Sequence, residues 1–171
     1  PQARELILIA VLCAIGIAGR AAFLFLPNFK PVTALVIVTA VALGGETGFL
    51  VGALTMLLSN MYFQQGPWTP YQMFAMGIIG LLAGVLFRKG LLRRNRLSLS
   101  LFGFVYGGVM NPAAMLMYQP TPSWKLLIAY YVQGVPVDLV HAVSTFLFLW
   151  LLSEPMLEKL DRIKTKYGFY Q

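Results

Sequence analysis

Charge is what this sequence has least of. Only 11% of its 171 residues are Asp, Glu, Lys or Arg, where a soluble globular chain carries about 25%. A soluble chain of this size would need a charged surface that these residues cannot supply, which excludes a soluble domain. Cysteine is scarcer still: Cys13 stands alone, which excludes an intrachain disulfide framework. There is no G-x-x-x-x-G-K-[ST] phosphate loop, so the chain does not read as an ATP-binding subunit. No serine-hydrolase signature is present, and no His, Cys, Asp or Glu spacing makes a metal site. Catalytic candidates are scattered, and the chain does not read as an enzyme.

What is there is apolar. Hydrophobic residues make up 58% of the chain and mean hydropathy is +0.74. No charged residue falls between Glu5 and Arg20, Lys30 and Glu46, Glu46 and Arg88, Arg96 and Lys125, or Asp138 and Glu154. These blocks read as membrane spans separated by turn chemistry. The expected architecture is an all-α integral membrane protein, a single membrane-embedded domain over 1–171, built as a compact bundle of six helices. The spans are placed at Leu6–Leu26, Val32–Leu43, Gly48–Phe63, Tyr71–Phe87, Leu97–Tyr118 and Trp124–Ser153. Gly44-Gly45-Glu46-Thr47-Gly48 separates the second from the third, because three glycines and a charge favour a break. Helix 1 reads as a span and not as a cleaved signal segment, since its apolar run is long and more spans follow.

Position gives the basic residues a meaning that their net +7 does not. Arg88, Lys89, Arg93, Arg94 and Arg96 mark one loop, and Lys159, Arg162, Lys164 and Lys166 mark the C-terminal tail. Basic loops stay inside, so an even number of spans puts both termini in the cytoplasm. The positive charge then reports orientation and contact with anionic lipid. No basic face suited to nucleic acid is apparent.

The outward loops are rich in proline, aromatic rings and side-chain amides. They run Leu26-Pro27-Asn28-Phe29-Lys30-Pro31, then Tyr62 through Gln72, then Tyr118-Gln119-Pro120-Thr121-Pro122-Ser123-Trp124. Phe29, Lys30, Tyr62, Gln64, Gln65, Trp68, Tyr71, Tyr118, Gln119 and Trp124 are therefore candidate ligand-binding residues, with rings as apolar walls and amides at the rim. An interfacial aromatic belt accounts for the same rings. Inside the spans, Arg20, Asn111, Gln133, Asp138 and His141 form a candidate buried polar network, which reads as structural, as a proton relay or as direct ligand contact. Asn111-Pro112 is expected to interrupt helix 5, and Pro136 to bend helix 6. Ala10, Ala14, Ala18 and Ala22 recur every four residues on helix 1, a period that permits close helix approach to a partner or within the bundle.

The six-span layout, Ala10-x-x-x-Ala14-x-x-x-Ala18 and the segment Leu26 to Gly84 resemble the substrate-binding S component of an energy-coupling factor (ECF) transporter. The stretches that carry the likeness are Leu26 to Ala34, Gly52-Ala53-Leu54 with Ser59-Asn60, and Gln65 to Met73. They are most similar to the cobalamin-binding branch. The resemblance implies a prokaryotic cell-membrane protein that alone binds a vitamin with high affinity. It implies assembly with a membrane scaffold (T) subunit and two ABC-type ATPases that supply the energy. Ala10 and Ala14, with Ala18 as an extension, would be the scaffold-contact face. Cobalamin is the expected transported ligand, with no resident cofactor. Another vitamin or a queuosine-type precursor is the alternative within the family, and an ion-coupled secondary transporter using Arg20, Asp138 or His141 is the alternative outside it.

The topology is open to a direct check. With Cys13 replaced, a cysteine at Ser123 should react with an impermeant reagent on intact cells, and one at Asn95 should not. The reverse labelling pattern would invert the orientation.

Overall fold

The computed structural model describes residues 3–23, 31–63, 65–86 and 102–167. Within them the chain forms α1 (Ala3–Ala22), α2 (Val32–Leu43), α3 (Gly45–Phe63), α4 (Thr69–Leu86), α5 (Phe102–Tyr118) and α6 (Trp124–Tyr167). No strand occurs among the described residues. Glu5–Ala22, Thr69–Leu86 and Trp124–Lys166 are long and apolar enough to cross a membrane by themselves, and Val32–Leu43 is a shorter apolar helix. The all-α membrane architecture expected from the sequence is thus the observed one. The basic loop 88–96 lies outside the described residues.

At the centre stands α2. All twelve of its residues are buried, and α3, α4 and α6 pack around it. Seven of the twelve are Val, Ile or Thr, types that helices in water disfavour. In an apolar bundle every backbone N–H and C=O must still be bonded, and the helix does this within itself. Its length of roughly 18 Å falls well short of the ~30 Å hydrocarbon core. The missing length costs nothing against lipid, because protein encloses it on all sides.

The break between α2 and α3 is narrower than the sequence suggests. Only Gly44 leaves the helical region, at φ +109°, a conformation that L side chains rarely adopt. Its N–H still donates to Ala40 O (2.8 Å), and Gly48 N–H donates to Gly44 O (3.0 Å), so α3 starts at once. The remaining glycines are spent on packing. Gly45, Gly48 and Gly52 face Leu81, Gly80 and Met76–Gly77 across the α3–α4 contact. A Cβ at Gly80 would stand 2.5 Å from the Gly48 backbone, and one at Gly45 2.8 Å from Leu81 O. Two helices meet backbone to backbone there, as small residues allow in membranes.

Two further expectations are corrected. Helix 5 is not interrupted at Asn111-Pro112: α5 runs through Pro112 to Tyr118. Proline at 112 removes the N–H that would bond the carbonyl of residue 108, and the Tyr131 hydroxyl donates to Gly108 O instead (2.9 Å). Helix 6 does not stop at Ser153. It continues to Tyr167 through Pro136 and Pro155, 44 residues or about 66 Å. Beyond Ser153 it is amphipathic: Leu157 and Leu160 are buried in the core while Glu158, Lys159 and Arg162 face outward. Charges that end a membrane span do not end a helix. Thr33 at the start of α2 meets His141, and Ala42 O near its end accepts from Lys164 Nζ (3.4 Å), so α2 and the second half of α6 run in the same direction. Earlier in α6, contacts such as Asp138 against Gly107 and Gly134 against Asn111 pair it with α5 as a hairpin.

The α3–α4 contact gives a stability test. Gly80→Leu would drive a branched side chain into the Gly48 backbone, and overpacking of this kind costs ~1–3 kcal/mol or more. The variant should melt well below wild type in detergent, whereas Gly108→Leu, where an added Cβ meets nothing within 4 Å, should melt close to it.

Candidate functional site

All six helices contribute to one cavity of about 110 Å³. Its walls are Arg20 (α1), Val32 and Thr33 (α2), Met56 (α3), Gln72 and Met76 (α4), Tyr106 (α5) and His141 (α6). It lies towards the end of the bundle where α1 and α3 finish and α2 and α4 begin. Val32, Met56 and Met76 present apolar or thioether surface. Arg20, Thr33, Gln72, Tyr106 and His141 present polar groups from different directions. Among the described residues of the lining Arg20 is the only charged one, so the cavity favours a ligand edge rich in acceptors.

The polar lining is held from behind. Arg20 Nη1 donates to Ser59 Oγ (2.5 Å) and to Asn60 Oδ1 (2.6 Å). Asn60 Nδ2 donates to Gln72 Oε1 (2.6 Å) and Thr69 Oγ1 (3.1 Å). Elsewhere in the lining, Thr33 Oγ1 lies 2.5 Å from His141 Nε2 and 3.6 Å from Met76 Sδ. The His141 ring stands edge-on to Tyr106, with centroids 5.1 Å apart and planes at 88°. Buried polar groups in an apolar bundle are costly unless bonded, and these bonds fix the direction each group faces.

The structure divides the residues singled out in the sequence. Arg20 and His141, read as part of one buried network, both line the cavity, though on different walls. Asp138 instead accepts from Asn111 Nδ2 (3.1 Å) within the α5–α6 hairpin, and Gln133 is exposed. The single network is therefore corrected: Asp138 pairs with Asn111 within the hairpin, whereas His141, three residues on, turns to Thr33 and Tyr106 at the cavity, and Gln133 joins neither.

Of the outer-loop candidates among the described residues, none lines the cavity. Tyr62 (80% exposed), Tyr118 (62%) and Trp124 (81%) stand open, as does Tyr71 at the start of α4. Trp68 covers Gly66 in the α3–α4 turn. Gln65 bonds Leu57 O and Thr69, and Gln119 bonds the Tyr130 hydroxyl. Phe29, Lys30 and Gln64 lie outside the described residues. On α1, Ala10, Ala14 and Ala18 are exposed, and Ala14 and Ala18 share a shallow apolar groove with Ile17, Ala21 and Tyr62. Among the described residues no group of three or more His, Cys, Asp or Glu is placed to hold a metal.

Thr33, Gln72 and Tyr106 were not singled out as site residues from the sequence. Their signal was weak but real: Thr33 and Gln72 are polar residues in the first turns of apolar helices, level with Arg20. Nothing in the sequence distinguishes Tyr106 from the other tyrosines.

The family described as ECF-type riboflavin transporter, S component, matches residues 2–156. No curated protein and no solved structure matches the chain. A family match over nearly the whole length, on an all-helical membrane bundle with one polar cavity drawn from every helix, means that this chain belongs to the S components of ECF transporters, their membrane-embedded substrate-binding subunits.

Proposed function

We propose that this chain binds riboflavin or a closely similar flat heterocycle in the six-helix cavity and delivers it to an ECF import complex. The observation that carries the reading is the composition of the walls. Apolar and thioether groups suit the faces of a planar ring, and Arg20, Thr33, Gln72 and His141 suit an edge of carbonyl and ring-nitrogen groups. The family's own name points to the same vitamin.

The described walls enclose less than the ~300–1,000 Å³ of most small-molecule sites. A ring inserted edge-first fits this better than the corrin expected from the resemblance, which is far bulkier. A corrinoid would have to rest on the exposed outer aromatics, and it is the competing ligand in the test. The scaffold and two ATPases belong to the same proposal. The exposed Ala10 and Ala14 on α1, with Ala18 beside them, offer the close helix approach that docking requires.

Riboflavin titrated into the purified chain in mild detergent should lose fluorescence with saturable binding. Thr33→Val and Gln72→Leu should each weaken it about 10-fold, the ~1.4 kcal/mol scale of one lost hydrogen bond. Tyr118→Ala should change it less than about 2-fold, since surface positions away from a site contribute little. Tight cobalamin binding that is weakened by Tyr118→Ala or Trp124→Ala, with no riboflavin binding, would replace this ligand by the corrinoid.

Docking is tested separately. Ala14→Trp should abolish co-purification with scaffold and ATPases and stop uptake while riboflavin binding persists. Intact co-purification would remove the α1 face from the docking role.

A further inference from the structure

We infer that Asn60 is the positioning residue of this site and couples filling of the cavity to order in the α3–α4 turn. The inference rests on the proposed ligand reading for its functional meaning and on hydrogen bonds for its mechanism. Asn60 is 1% exposed and does not line the cavity. Both amide protons are spent inside the protein, on Gln72 and Thr69, and its oxygen holds Arg20. A side-chain amide has two protons to give, so Asn60 has none left for a ligand. It acts through its neighbours.

Those neighbours lead in two directions. Arg20 and Gln72 face the cavity. Thr69 faces the turn, where its hydroxyl donates to Gln65 Oε1 (2.8 Å) and accepts from Gly66 N–H (3.4 Å), and Gln65 Nε2 closes the turn onto Leu57 O (3.2 Å). These side-chain bonds from the cavity to the turn therefore pass through one buried amide, beside the backbone bond from Gln72 N–H to Trp68 O (3.0 Å). A ligand that fixes Arg20 and Gln72 fixes Asn60, and through it Thr69. Conversely, a turn that lets go of Thr69 releases Gln72. Hydrogen-bonded groups in low dielectric polarise and order one another in this way.

Aspartate is the discriminating substitution. It keeps the shape and the acceptor for Arg20 but has no N–H. Thr69 would then have to turn its single proton towards residue 60 and abandon Gln65, which cuts the link to the turn. In wild type, saturating riboflavin should slow amide exchange over Gly66–Gln72. In Asn60→Asp, riboflavin affinity should fall roughly 10-fold, and at saturation the slowing over Gly66–Gln72 should be lost. A merely structural asparagine would lower the melting temperature yet leave that slowing intact once the site is filled, and this result would overturn the coupling.

A ligand-free measurement separates the two ideas. Arg20→Met and Gln65→Leu should shift melting non-additively when residue 60 is Asn and additively when it is Asp, as expected for groups joined through it. If wild type binds no riboflavin, the ligand reading falls and this cycle alone decides the relay. Additive shifts with Asn60 in place would overturn it.

Discussion

A helix too short for its membrane organises this bundle. The twelve residues of α2 span only roughly 18 Å, so they can exist in lipid only if other helices wrap them. The α3, α4 and α6 helices do so, and the largest fully buried side chains include Ile37, Val36 and Val38 of α2. Because α2 begins late, its first residues, Val32 and Thr33, become part of a cavity wall instead of reaching the membrane surface. The longer helices around it supply the other walls. Site and core are thus consequences of the same shortfall.

Close backbone contact makes the wrapping possible. Gly45, Gly48 and Gly52 on α3 let α4 approach until backbones touch, which brings Asn60 at one end of α3 within reach of Gln72 at the start of α4. Several polar groups at these contacts find partners across helices. Tyr131 satisfies the carbonyl that Pro112 leaves open. Asn111 meets Asp138 in a hairpin where Gly107 and Gly134 admit them. In an apolar medium each such group is either bonded or a liability.

The family places the chain among substrate-binding subunits, and the cavity is the proposed location of that role. Its polar groups come from Arg20, Thr33, Gln72, Tyr106 and His141, one from each of five helices, with α3 contributing Met56. Such a site exists only when the whole bundle is assembled. The exposed alanines of α1 lie on the outside of the same helix that sends Arg20 inward. One helix therefore carries both a cavity wall and the proposed docking face, on different sides.

Local chemistry was legible in the sequence. Long uncharged runs, read against the cost of burying charge in lipid, gave an all-helical membrane chain and the bounds of α2 as observed. Other boundaries depended on non-local contacts. A charged stretch after Ser153 looked like the end of a helix, but Leu157 and Leu160 find the core and carry α6 onward. Arg20 and His141 were recognisable because charge and imidazole are rare in apolar spans. Thr33, Gln72 and Tyr106 were not, because a Thr, Gln or Tyr in a helix is ordinary until its neighbours are known. The sequence by itself determined that the chain lies in a membrane as a set of helices, since hydropathy and backbone satisfaction act residue by residue. Only the tertiary structure decided which polar groups share a cavity, because that depends on how far each helix reaches and which face it turns inward.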